Sequence, residues 1–129
     1  MRWIFVLSAL LAATPLNAQA GMAVESAVFI ERAGQRGVWV EPAASFSHGD
    51  TVVTVMTWQA PARDRHTIVS AVPVGLELES VSRDGLDFSI DGGHRWQTLA
   101  DARDLPRGVT HLRWHAGGDG RLSYRAVVR

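Results

Sequence analysis

Apolar residues in this chain recur every second position, in short segments cut by glycine, proline and aspartate. That pattern constrains the fold more than any other feature. Side chains on an extended strand alternate between faces, so period two means strands with one face buried, whereas helices would need a period near 3.6. Val24, Ser26, Val28 and Ile30 alternate with Glu25, Ala27, Phe29 and Glu31, and Val38 and Val40 flank Trp39. Residues 51–59 are rich in β-branched side chains and reach Trp58, and residues 67–71 run to a stop at Pro73. Leu76 and Leu78 alternate with Glu77 and Glu79, and Leu86, Phe88 and Ile90 with Asp87, Ser89 and Asp91. Near the end Leu112 and Trp114 oppose His111, Arg113 and His115, while Leu122, Tyr124, Ala126 and Val128 oppose Arg121, Ser123 and Arg125.

Gly117-Gly118-Asp119-Gly120 supplies the positive φ angles of a tight reversal and predicts a hairpin between the last two strands. Asp91-Gly92-Gly93 predicts another before Trp96, and residues 98–104 carry the one segment that could form a helical turn. Seven or eight short strands with turns every ~8 to 12 residues is the pattern of an all-β, antiparallel, immunoglobulin-like β-sandwich.

Residues 1–20 have the composition of a cleavable signal peptide: Arg2, an apolar run over 4–13 broken only by Ser8, and the small-x-small site Ala18-Gln19-Ala20. The run is shorter than the roughly 20 residues that span a bilayer. The expected organisation is a signal peptide over 1–20 and one sandwich domain over 21–129, exported to a periplasm or the extracellular space and soluble after cleavage. The 129-residue chain has no cysteine, which excludes disulfides, thiolate zinc sites and a lipid-bearing cysteine anchor. No membrane anchor is expected. All 13 basic residues are arginine and 13 acidic residues balance them, so no net field favours nucleic acid as a partner.

Four short motifs follow one another: Val72-Pro73-Val74-Gly75-Leu76, then Ser89-Ile90-Asp91-Gly92-Gly93, then Thr110-His111-Leu112-Arg113-Trp114, and a closing strand from Gly120 to Val128. In order and spacing they resemble the bacterial conserved-repeat surface domain of unknown function, number eleven. Gly49-Asp50-Thr51-Val52 matches its strand entry, while Trp58-Gln59-Ala60-Pro61 departs from its usual Thr-Asn-x-Gly. The resemblance implies an immunoglobulin-like sandwich in an exported bacterial protein and marks Pro73, Gly75, Asp91, Gly92, Gly93, His111, Arg113 and Trp114 as family-motif positions. It implies no catalytic residue.

Candidate chemistry is sparse. His111 and His115 have the spacing of a helical zinc pair, but on a strand their Cα atoms stand ~13 Å apart, too far to share an ion held at ~2.0 to 2.1 Å. Asp84, Asp87 and Asp91 surround Gly85 and Gly92 as calcium-binding loops do, yet turn-forming aspartates account for all three. The local signatures of nucleophilic, phosphate-binding and zinc-dependent catalysis are missing, so no enzyme, metal or cofactor is expected. The five histidines fit solvent-facing positions at strand ends. Trp39 and Trp96 are candidates for an exposed ligand platform; Trp58 and Trp114 belong to the core. The expected function is a non-catalytic envelope or surface module whose partner is another envelope or surface protein, the alternative being a small carbohydrate-binding module that uses Trp39 or Trp96. The segment from Val24 to Ile30 is read as an unprotected sheet edge able to accept that partner, and the arginine-bearing last strand as a protected edge.

Overall fold

The computed structural model describes residues 23–61 and 65–129. The signal peptide expected over 1–20 lies outside the described residues. Among those described, nine strands form two antiparallel sheets and no helix is long and apolar enough to cross a membrane. In chain order they are β1 (Ala23–Gly34), β2 (Gly37–Pro42), β3 (Thr51–Gln59), β4 (Arg65–Ala71), β5 (Leu76–Val81), β6 (Asp87–Ser89), β7 (Gln97–Thr98), β8 (His111–Gly117) and β9 (Gly120–Val128). The count exceeds the expected seven or eight because the two-residue β7 is an additional strand. The segment 98–104 makes no helix; one turn closes it, with the Asp104 amide donating to the Asp101 carbonyl at 3.0 Å.

The five-stranded sheet has the order β2-β1-β3-β9-β5 and the four-stranded sheet β4-β8-β6-β7. Their inner faces meet in one core. Trp58 on β3 packs on Trp114 on β8 with ring centroids 5.8 Å apart, and the Ser70 hydroxyl on β4 lies 3.5 Å from the Met56 sulfur on β3. Leu112, Leu122, Val52, Ala126 and Val128 are fully buried between the layers, as their alternation with arginine, serine and histidine requires. Phe46, in the loop between β2 and β3, is also buried in this core.

The predicted hairpin between the last two strands does not form. β8 pairs with β4 and β6, and β9 with β3 and β5, so Gly117 to Gly120 carries the chain from one sheet to the other. A glycine-rich reversal specifies that the chain turns back, and it is equally suited to strands that face each other across a core. What holds this crossing is the end of β3. The Asp119 carboxylate accepts from the Ala60 amide at 2.9 Å, and Gly120 lies opposite Trp58 in the ladder, directly against its ring.

In consequence β9 is an inner strand and not a protected edge. Its Arg125 lies on the outer face of the five-stranded sheet, reaching across β3 to Glu31 at 2.7 Å and to Glu79 on β5 at 2.9 Å. Arg129 pairs with Glu77 at 2.7 Å. The outer face is thereby a ladder of neutralised charges, consistent with the balanced composition.

In an immunoglobulin sandwich the second and fourth strands flank the fifth. Here β9 fills that fifth-strand place and β8 and β6 the next two, so the chain passes through these positions in the opposite order.

Tyr124 is the protein's one tyrosine and lies fully buried opposite Thr54 in the β3–β9 ladder. Burial pushes its phenol up from 10.0 to about 12; the Thr54 hydroxyl tempers the rise, although the two oxygens do not reach full hydrogen-bond geometry. Folding favours the neutral phenol, so its contribution to stability is intact below 10.0 and is lost as pH rises through about 12. In an alkaline titration, tyrosinate absorbance should stay absent until the pH approaches that value or the protein unfolds. Ionisation near the usual value in folded protein would show that the phenol is accessible.

Candidate interaction surface

Most of the motif positions converge on the β6–β7 hairpin and the neighbouring strand β8. Ser89 ends β6 on the outer face and is buried by the loop that follows it. Its hydroxyl donates to Asp91 Oδ1 at 2.8 Å and accepts from the amides of Gly93 at 2.9 Å and Asp91 at 3.3 Å. Asp91 Oδ1 accepts in turn from the amides of Arg95 at 2.9 Å and His94 at 3.2 Å. Gly92 and Gly93 hold φ of 79° and 90°, a left-handed pair that lets two amides turn inward, one to Ser89 and one to Thr110 Oγ1 at 2.9 Å. This folding ends the strand at Ser89, so Ile90 is 51% exposed and departs from the expected inward alternation.

On the sheet beneath the loop, Trp96 takes the Arg113 guanidinium over its ring at 4.3 Å from the centroid and the edge of His111 at 6.5 Å. Arg113 donates to Asp87 Oδ2 through Nε at 3.1 Å and a terminal nitrogen at 2.8 Å, and Thr98 donates to Asp87 Oδ1 at 3.1 Å. Those bonds from Arg113 hold the Asp87 carboxyl below its usual range, while the Arg95 amide and the Ser89 hydroxyl do the same for Asp91. Both carboxylates therefore support the fold at neutral pH and lose that contribution as the pH falls through their depressed values.

The Ser89, Asp91, Thr110, Asp87 and Arg113 polar groups serve one another, which is the chemistry of a structural clasp. Trp96 is half-buried with Arg113 on one ring face, so it is not the open platform its sequence position allows. Pro73 and Gly75 serve a separate turn: Gly75 has φ 95°, and the Pro73 carbonyl accepts from the Leu76 amide at 3.1 Å. Trp114 is a core residue.

The three aspartates do not assemble. Asp84 caps the 101–104 turn by accepting from the Ala102 amide, Asp87 holds Arg113, and Asp91 closes its own loop. Among the described residues no group of three histidines and carboxylates could hold a metal ion. His111 bonds through Nδ1 to the Thr110 hydroxyl at 3.0 Å, and His115 to the Thr67 hydroxyl at 3.1 Å. His115 of the Thr67–His115 pair borders an open cleft of about 440 Å³. Among the described residues no third group orients that imidazole as a catalytic one requires, because the nearby Asp87 is committed to Arg113.

A different surface has no partner among the described residues. β2 is the edge of the five-stranded sheet, paired with β1 over Phe29 to Gly34, and all six of its residues are exposed. Val38, Trp39 and Val40 are 65%, 47% and 51% exposed. Trp39 packs one side of its ring against Gly34, where a Cβ would meet it at 3.2 Å, and its Nε1 reaches Glu41 at 3.4 Å. Glu41 also accepts from Arg32 at 3.0 Å, so the one charge on the strand is paired from within. Trp39 and Trp96 sit on different sheets and make no common platform.

The edge expected at Val24 to Ile30 is present in part: among the described residues Ala23 to Val28 pairs on the β3 side alone, while Phe29 and Ile30 pair on both sides. The exposed apolar edge belongs to β2, which was read from sequence only as a pair of valines around a tryptophan. Three consecutive apolar residues between Gly37 and Glu41 were the available signal, since a strand with a buried face would alternate.

No family model matches the chain, and no curated protein is similar to it. Among solved structures, a Salmonella typhimurium protein described as ethanolamine utilization protein Q superposes with a TM-score of 0.35 at 12% identity, over 82% of this chain and 98% of that one. A likeness at that level carries no argument about fold or function.

Proposed function

We propose that this domain is an exported, non-catalytic interaction module of immunoglobulin-like sandwich architecture that binds protein through the open edge of β2. The observation that carries the reading is the exposed Val38-Trp39-Val40 segment on a strand with no pairing on its outer side among the described residues. An unpaired edge offers a row of backbone donors and acceptors that an added strand satisfies, with side chains on both faces as secondary contacts. The self-satisfied clasp at Trp96 supports a scaffold role for that region, and the conserved-repeat resemblance supports an envelope or surface setting. Glycan binding is the weaker reading, because Trp39 stands alone and one side of its ring is spent on Gly34.

The test is capture of envelope proteins by the purified protein, compared with a Val40→Pro variant. Proline removes the outward backbone donor and blocks strand addition. Protease-sensitive capture that the variant loses is the expected result. Capture abolished by glycosidase and kept by Val40→Pro would overturn the reading in favour of a sugar ligand.

A further inference from the structure

Resting on the β2 reading, we propose that the strand added to this edge is β2 of a second copy, running antiparallel about a two-fold axis at Trp39. The reversal at Gln35-Arg36 closes on Gly34 opposite Gly37, which directs the backbone groups of Gly37, Trp39 and Glu41 toward β1 and those of Val38 and Val40 outward. Pairing Val38 with Val40 of the second copy, and the reverse, lets each pair exchange both N–H···O bonds. The sequence Gly37-Val38-Trp39-Val40 is symmetric about Trp39 in its valines, so the two-fold operation brings valine against valine on one face. Trp39 meets its counterpart at the non-hydrogen-bonded position, where Cα atoms approach to ~4.5 Å.

Charge favours the same register. Glu41 falls opposite Gly37 of the second copy, so the two glutamates stay apart. Arg36 makes no ion pair among the described residues, and the pairing brings it to the face that carries Glu31 of the second copy, one row away. A net charge of zero leaves no long-range repulsion between copies. The other edges are less suited to self-pairing: β5 has a bulge between Leu78 and Ser80, β7 has two residues, and β4 exposes a single large apolar residue, Val69.

The chain has no cysteine, which makes the register directly testable. Trp39→Cys should form a disulfide-linked dimer under mild oxidation, because non-hydrogen-bonded antiparallel partners hold Cβ atoms near the ~3.5 to 4.5 Å a disulfide needs. Val74→Cys, at a site 91% exposed and outside the strand, serves as the collision control and should cross-link at least tenfold more slowly. Mixed Val38→Cys and Val40→Cys proteins should link to each other in preference to themselves. In sedimentation, the unsubstituted protein should shift toward dimer as concentration rises, while Val40→Pro stays monomeric with an unchanged unfolding curve. Monomer at all concentrations, or Trp39→Cys linking no faster than the control, overturns self-pairing. If the protein is monomeric yet Val40→Pro still abolishes partner capture, self-pairing falls and the edge reading stands; if the variant changes neither, both fall.

Discussion

Trp114→Ala should destabilise the domain by about 3 to 5 kcal/mol, the range for removing a large buried aromatic side chain. Against a total stability of about 5 to 15 kcal/mol for a domain of this kind, that loss brings the protein near unfolding at ordinary temperature. Trp114 is 2% exposed and packs on Trp58, which belongs to the opposite sheet, so its removal opens a cavity in the contact that joins the layers. Urea denaturation followed by circular dichroism measures the change. Trp114→Phe provides the control: the indole Nε1 has no hydrogen-bond partner among the described residues, so phenylalanine forfeits ring area and no bond. It should cost less than half as much as alanine. A loss below about 1 kcal/mol for Trp114→Ala would mean that the ring is not packed between the sheets.

Gly120→Ala should cost about 1 to 3 kcal/mol through overpacking, an unusual penalty for adding one methyl group to a strand. Gly120 has no positive φ, so backbone strain is not the cause. Its hydrogen faces Trp58, and a Cβ at that position would stand 2.7 Å from the indole Nε1, closer than the packed ring can yield without shifting against Trp114. A double-mutant cycle separates these causes. In a Trp58→Ala background the penalty of Gly120→Ala should nearly vanish, giving a coupling of at least about 1 kcal/mol. An unchanged penalty there would place the cost in the turn and not in the tryptophan.

The alternation in Thr51–Gln59 and in the last two strands was legible because each residue's face is set by local geometry and its polarity by that face. The same logic located Trp58 and Trp114 in the core. It failed at Ile90, where Ser89 and Asp91 gather the amides of the following loop and end the strand one residue early. Trp96 looked free in sequence because its cover, Arg113, comes from β8 and reaches it only after the hairpin docks. The open edge was assigned to β1 because strand order is not written in the strands themselves. Only the ladders show that β2 lies outermost, covering β1 from Phe29 to Gly34 and leaving Ala23 to Val28 paired on one side.

What the sequence by itself determined is therefore the local layer of the protein: extended segments, the residues that face inward, the turns at Gly75, Gly92 and Gly118, and a charge balance with no net basic excess. These follow from side-chain alternation and from backbone angles that glycine alone tolerates easily. The tertiary structure decided which strands are neighbours: that β8 and β9 part into opposite sheets, that β9 is an inner strand, and that β2 is left at the edge with no outer partner among the described residues. Such choices rest on contacts between residues far apart in the chain, Trp58 with Trp114 and Gly120 above all, whose energies appear only when both layers are in place.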